Sequence, residues 1–109
     1  STHLDLKEVN RISQTNQIIE RFKDEKLPVI LAGDFNMLPS SGEVKLLDQY
    51  FTRTCVENCG GTFPVVNPDR VIDYIFYRSA KQFKVVSHKV IDEQFASDHL
   101  PVVAELEFK

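Results

Sequence analysis

Four polar elements interrupt or close apolar stretches of this chain: His3, Asp34 with Asn36, Asp73, and Asp98 with His99. Asp34, Asn36 and Asp98 offer hard oxygen atoms of the kind a divalent cation requires. His99 or His3 can take or give a proton near neutral pH, and a carboxylate such as Asp73 fixes an imidazole's tautomer and stabilises its protonated form. Asp73 is the most informative of them. It stands within Val71-Ile72-Asp73-Tyr74-Ile75-Phe76, where a carboxylate is costly unless it is paired. Taken together, these groups fit metal-assisted hydrolysis of a phosphate ester, with a cation on the carboxylates, a water oriented by a histidine, and donors for the charge that develops on phosphorus. Each also has a plainer reading. Gly33-Asp34-Phe35-Asn36 has turn composition, Asp73 could face water, and Asp98-His99 could be a solvated pair on a turn. His88 lies mid-strand with no acidic cluster near it in sequence, and reads as a surface strand residue.

The elements that must position these groups follow from periodicity. Pro28 to Asn36 holds the central strand, since Val29 to Ala32 is a short apolar run closed by Gly33, the pattern of a strand buried on both faces. Asp34 and Asn36 then lie at its carboxyl end, where open α/β sheets bind ligands. Thr2 to Asp5 finishes a strand. Asp5-Leu6-Lys7-Glu8 has capping-box spacing, which accounts for Asp5 without catalysis and predicts a helix from about Glu8 to Lys26 with an apolar stripe of Val9, Ile12, Ile19 and Phe22. Ser40-Ser41-Gly42-Glu43 repeats the capping spacing ahead of a short helix through Val44, Leu47 and Tyr50. Phe51 to Asp69, with Gly60-Gly61, Pro64 and Pro68, reads as loop. Val71 to Tyr77 and Phe83 to Ile91 are strands by β-branched and aromatic content. Asp92 to His99 is a loop. Pro101 to Phe108 is a closing strand with Val102, Ala104, Leu106 and Phe108 on one face and Glu105 and Glu107 on the other. The order β-α-β-α-β-β-β predicts an α/β layered fold with a mixed sheet.

The chain has 109 residues, enough for one domain with one modest core. A net charge of −3 argues against a broad basic surface for nucleic acid, so any bound phosphate needs a metal or a few local cations to offset the acidic groups. Cys55 and Cys59 form neither a Cys-x-x-Cys pair nor a four-ligand zinc set, and are expected as separate thiols rather than a disulfide. No apolar run approaches the roughly 18 residues of a membrane span.

Thr2-His3-Leu4-Asp5, Gly33-Asp34-Phe35-Asn36, Ile72-Asp73-Tyr74-Ile75-Phe76 and Ser97-Asp98-His99-Leu100-Pro101-Val102 resemble, in this order, the motifs of the endonuclease/exonuclease/phosphatase superfamily, the deoxyribonuclease I-like enzymes. Gly61-Thr62-Phe63-Pro64 with Asn67-Pro68-Asp69-Arg70 is similar to the loop that precedes the Ile-Asp-Tyr-Ile strand in many bacterial members. The resemblance implies part of a four-layered α/β sandwich with a mixed, largely antiparallel sheet, and Mg²⁺- or Mn²⁺-dependent hydrolysis of a phosphodiester or phosphomonoester. It implies His99 as general base or phosphate-contacting histidine with Asp73 as its partner, and Asp34 as a metal ligand or water-orienting group. It further implies Asn36 at the phosphate and metal, Asp98 at the metal site, and His3 in transition-state stabilisation. Substrates across the superfamily include nucleic acids, phospholipid head groups, inositol phosphates and nucleotides.

Two departures bear on this. The amino-terminal half of the family domain, with its early asparagine and metal-ligand glutamate, is expected to be absent, so that residues 1–109 are the carboxyl-terminal half. Glu8 and Glu43 read as first-turn helix residues instead. Arg70 stands one position earlier than the arginine that many members place directly before the Ile-Asp step, and strand alternation would turn it to the other face, so it is not assigned to substrate. Two competing readings remain. A catalytically incomplete half-domain would act as a structural fragment and self-associate through an exposed sheet face. A phospho-acceptor receiver-like domain using Asp34 is disfavoured by the three closing strands.

Overall fold

The apolar run around Val29 becomes the spine of the computed structural model, which describes residues 1–109. In chain order the elements are β1 (Thr2–His3), α1 (Glu8–Phe22), β2 (Val29–Asp34), α2 (Gly42–Leu47), β3 (Thr52–Arg53), β4 (Asp73–Arg78), a single 3-10 turn at Ala80–Gln82, β5 (Phe83–Val90) and β6 (Val102–Phe108). Four strands form one mixed sheet in the order β1-β2-β4-β3. β1 runs parallel to β2, and β4 is antiparallel to both β2 and β3. β5 and β6 form a separate antiparallel ribbon. The predicted mixed α/β class with a largely antiparallel sheet is what the chain adopts.

One face of the four-stranded sheet carries the core. Leu31 pairs with Phe76 and Gly33 with Tyr74 across β2 and β4, so Leu31, Tyr74 and Phe76 share a face. They pack with Ile19 of α1, Val44 and Leu47 of α2, and Leu4, Phe35, Met37 and Phe51. Phe35 is fully buried, with its ring edge-on to Tyr74 at 5.6 Å and to Phe76 at 5.3 Å. Burying each such side chain contributes about 1.5–3 kcal/mol. Because Phe35 sits between Asp34 and Asn36, this packing fixes the carboxyl end of β2, where two of the candidate groups stand.

Several boundaries differ from the sequence expectation for identifiable reasons. α1 stops at Phe22 rather than Lys26, because the guanidinium of Arg78 donates to the Lys23 carbonyl at 2.6 Å and closes the helix end from β4. Its buried stripe is Thr15 and Ile19, with Ile18 and Phe22 beside them, while Val9 and Ile12 are exposed. Asp5 does start the helix, but from two residues before the cap: its carboxylate accepts from the Lys7 N–H at 2.8 Å and from Asn10 Nδ2 at 3.1 Å. Ser41, not Ser40, caps α2, accepting from the Val44 N–H at 3.2 Å, and Tyr50 lies beyond the helix. β3 was not anticipated within the Phe51–Asp69 loop. Two residues are too short for a periodic signal, and β3 is held by pairing with β4 and by the Arg53–Asp48 ion pair at 2.9 Å.

Two further expectations are overturned. Cys55 and Cys59 form a disulfide with Cα atoms 5.8 Å apart. The turn between them brings the two within bridging range, which spacing alone did not reveal. His88 is half-buried rather than a surface residue, and its Nδ1 lies 2.7 Å from Thr54 Oγ1. On β6 the alternation is as expected for Val102, Ala104 and Leu106, but Phe108 is largely exposed at the strand's end.

Gly33 is where this architecture depends most on a single absent atom. Its φ is +150°, and a Cβ there would come within 1.8 Å of the Thr2 carbonyl oxygen, the backbone that pairs β1 to β2. Gly33→Ala is therefore expected to destabilise the fold by about 2 kcal/mol or more. Urea denaturation measures this, and an unchanged midpoint would show that β1 does not need this close approach.

Candidate active site

β2 and β4 end together, and their register sets Asp34 directly opposite Asp73. Asp73 is the first residue of β4 rather than an interior one, which explains how a carboxylate is tolerated in that apolar segment. Like charges facing each other across an antiparallel pair are destabilising, so a positive partner is needed. His99 supplies it from the loop before β6. Its Nδ1 lies 2.8 Å and 3.1 Å from the two Asp73 oxygens, and its Nε2 lies 3.5 Å from Asp34 Oδ2. The ionised carboxylate only accepts, so Nδ1–H donates to Asp73. Carboxylate oxygens of Asp34 and Asp73 and a ring nitrogen of His99 all lie within 4.8 Å of one another. Burial alone would depress the His99 pKa. The Asp73 hydrogen bond and charge, with smaller help from Asp34 and Asp98, reverse this and hold it above the ordinary histidine value.

The other predicted residues surround this group. His3, on β1, places Nε2 3.4 Å from Asp34 Oδ2 with its side chain largely in solvent. Asn36 adopts a left-handed backbone, φ 52°. Its N–H donates to Asp34 Oδ1 at 2.9 Å, and its Nδ2 donates to the Leu4 carbonyl at 2.6 Å, so both Asp34 and Asn36 are held from below. Asp98 stands apart from the compact group. Its side chain is 80% exposed on the rim, with Oδ1 3.9 Å from His99 Nε2. His88 is elsewhere, against β3.

His3, Asp34, Asn36, Asp98 and His99 line a cleft of about 790 Å³, within the range of small-molecule sites. Its apolar wall includes Phe63, whose ring centroid is 4.8 Å from that of His99. Phe63 and Arg70 were not placed in the site from sequence. The alternation argument against Arg70 fails because β4 begins only at Asp73. Arg70 instead bridges to Phe63, carries its guanidinium over that ring at 5.4 Å, and pairs with Asp69 at 2.9 Å. The usable signal was an aromatic residue and a cation set in a Gly- and Pro-rich loop just before the Asp73 strand.

The chain is thus a mixed α/β domain with a histidine and opposed carboxylates at the ends of two central strands. The sequence pattern of the Endonuclease/Exonuclease/phosphatase family matches residues 3–99, and the chain belongs to that family. Among solved structures it is similar to a conserved Enterococcus faecalis V583 protein of unknown function, with 26% identity and a TM-score of 0.82, covering 99% of this chain and 48% of that one. It is also similar to a mannosyl-6-phosphatase of Bacteroides thetaiotaomicron, with 25% identity and a TM-score of 0.76 over 97% of this chain and 49% of that one. The human Nocturnin catalytic domain, solved with bound sulfate, shares the fold at 21% identity and a TM-score of 0.69, covering 98% and 45%. The chain thus spans about half the length of the structures it matches. No curated protein sequence matches it. No helix is long and apolar enough to cross a membrane.

Two histidines are expected to titrate in opposite directions in the metal-free protein. His99 should titrate above the ordinary value near 6.5 because of Asp73, and His88 below it because burial disfavours its charge. The stability contributed by His99 is fully present below about pH 6.5 and is lost as pH rises through its folded value. That tied to neutral His88 is present above about pH 6.5 and is lost as pH falls below it. Histidine NMR titration reads both. A His99 value that does not fall in Asp73→Asn would rule out Asp73 as the source of the upward shift.

Proposed function

We propose that the intact protein carrying this chain is a metal-dependent phosphoester hydrolase, with residues 1–109 as the carboxyl-terminal half of its domain. The observation that carries this reading is the convergence of Asp34, Asp73 and His99, two of which line the cleft, in a member of this family. In the reaction, a water oxygen forms a bond to phosphorus, the ester P–O bond breaks, and the departing oxygen takes a proton. Asp73 holds Nδ1 of His99, leaving Nε2 as the atom that exchanges a proton with the attacking water or contacts a phosphoryl oxygen. Asn36 donates to the phosphate, and His3 meets charge developing at the open side.

The donor set suits a hard divalent cation, because Asp34 is two-sided, with Oδ1 held by the Asn36 N–H and Oδ2 turned toward the histidines. Asp34 would hold Mg²⁺ or Mn²⁺ with Asn36 and the rim carboxylate of Asp98. When bound, the ion supplies neutralisation of phosphoryl charge and a more acidic water. The net charge of −3 disfavours duplex DNA as substrate, and similarity to a mannosyl-6-phosphatase makes a phosphorylated carbohydrate the first substrate class to try.

His99→Ala and Asp34→Ala are each expected to lower turnover of bis-p-nitrophenyl phosphate or a sugar phosphate by roughly a thousandfold. Chelation should abolish turnover, and Mg²⁺ or Mn²⁺ should restore it. Full activity in either variant, or activity indifferent to chelator, would sink the assignment.

A second reading is supported by a different observation. Ile30 on β2 and Val86, Val103 and Phe108 on the β5–β6 ribbon are 48–70% exposed, apolar strand surface that suits a self-associating structural half-domain. Under that reading the isolated chain sediments as a dimer and shows no heat with Mg²⁺. A monomer that binds the ion would exclude it.

A further inference from the structure

Three separate segments deliver the reacting groups, and a single residue outside all of them ties the segments together. Thr62 lies in the loop between β3 and β4, is only 1% exposed, and makes three hydrogen bonds. Its Oγ1 accepts from the N–H of Ile72, the residue before Asp73, at 3.2 Å. Its carbonyl accepts from the N–H of Leu100, the residue after His99, at 2.8 Å, and its own N–H donates to the Arg70 carbonyl at 2.8 Å. Ile72 in turn accepts, through its carbonyl, from the N–H of Phe35 at 2.9 Å, the residue between Asp34 and Asn36. The next residue, Phe63, sets its ring against the His99 imidazole. Ile72 precedes the first paired residue of β4, so its N–H has no strand partner, and only the Thr62 hydroxyl is on hand to satisfy it.

We propose that Thr62 is a positioning residue for the Asp73–His99 pair, its hydroxyl fixing the strand that carries Asp73 and its carbonyl fixing the loop that carries His99. Without the hydroxyl, the buried Ile72 N–H loses its acceptor. The segment ahead of Asp73 then shifts relative to Leu100, whose bond to the Thr62 backbone is unaffected by the side chain. The distance between carboxylate and imidazole is thereby released from one side only. Misplacement of a proton-transferring group at a reacting centre costs turnover. The loop itself is held by backbone bonds from Thr62 and Phe63 to Arg70, which the Thr62 side chain does not enter. Loop position and hydroxyl are thus separable contributions.

The proposal rests on the reading of Asp73 and His99 as the reaction centre, and the test keeps the two apart. Thr62→Val, Thr62→Ala and Thr62→Ser are made in the intact protein. Two quantities are measured: kcat and KM for bis-p-nitrophenyl phosphate, and, in the metal-free protein labelled with ¹⁵N-histidine, the His99 Nδ1–H resonance that reports its bond to Asp73. Valine keeps the volume without the acceptor, and alanine covers the case in which valine prevents folding. Both should lower kcat roughly tenfold with KM within about twofold, and shift or lose the resonance. Serine, which keeps the oxygen, should restore both. A parental kcat or an unmoved resonance in the folded valine or alanine variant overturns the proposal, as does a serine variant as impaired as valine. If the parent protein hydrolyses no phosphate ester, the functional reading falls and the resonance alone decides the role of Thr62.

Discussion

The constraint on which the rest of this structure depends is the facing of two carboxylates, Asp34 and Asp73, across the ends of β2 and β4. Nothing in strand pairing favours it. Opposed like charges destabilise a sheet, and both groups are largely withdrawn from water, at 16% and 17% side-chain exposure. The register is imposed from further down the ladder, where Leu31 meets Phe76 and both join the helices in one core. Slipping β4 by one residue would relieve the two aspartates but turn Phe76 and Tyr74 out of that core, at a cost of several kcal/mol. The apolar half of the sheet therefore holds its polar end in an arrangement that calls for a cation or a protonated histidine. His99 answers that requirement, bonding one carboxylate and lying near the other.

That division of labour runs through the whole domain. Helices α1 and α2 cover the face of Leu31, Tyr74 and Phe76, and strand alternation turns Asp34 and Asp73 to the other face. The site is assembled from what lies beyond the strand ends: a residue of β1, a left-handed Asn36, and loops that reach in from residues 61–70 and 97–100. Such segments have no ladder to hold them, so they are fixed by individual hydrogen bonds. The Asn36 amide reaches the Leu4 carbonyl, and Tyr74 donates its hydroxyl to the Met37 carbonyl at 2.7 Å from within the core. Burial raises the Tyr74 pKa above its ordinary value and so favours the neutral phenol that donates here. The Cys55–Cys59 bridge closes the turn that leads into the 61–70 loop.

What was legible in the sequence follows the same division. Val29 to Ala32 was readable as a strand but not as one buried on both faces, since only Leu31 is buried and Ile30 is exposed; the helix around Ile19 and the alternation of Val102, Ala104 and Leu106 were readable because periodicity records burial. The four polar elements were readable because each breaks such a pattern, and the expected pairing of Asp73 with a histidine is the contact observed with His99. The parts that escaped depend on contacts between residues distant in sequence. The end of α1 is set by Arg78, fifty-five residues away. β3 exists because β4 offers it an edge. Arg70 was turned from the cleft by an alternation rule that applies only inside a strand, and the strand starts three residues later. The cysteine bridge depended on a turn whose shape neither composition nor spacing encodes.

The charge balance of the cleft carries one further consequence. Asp34, Asp69 and Asp98 line it, and Arg70 is the one permanently charged cation among its lining residues. That guanidinium is already engaged by Asp69 and by the face of Phe63, so it does not offset the carboxylates around Asp34. A phosphate ester entering the cleft brings more negative charge to a region where, at short range and reduced dielectric, each uncompensated pair costs several kcal/mol. Even a protonated His99 would balance only one of the two central carboxylates, which would leave the charge of a phosphate ester unmet. On the proposed function, added positive charge would therefore be as much a condition for substrate binding as for chemistry. An anionic ligand and a divalent cation should favour each other's entry here, each removing the repulsion that opposes the other.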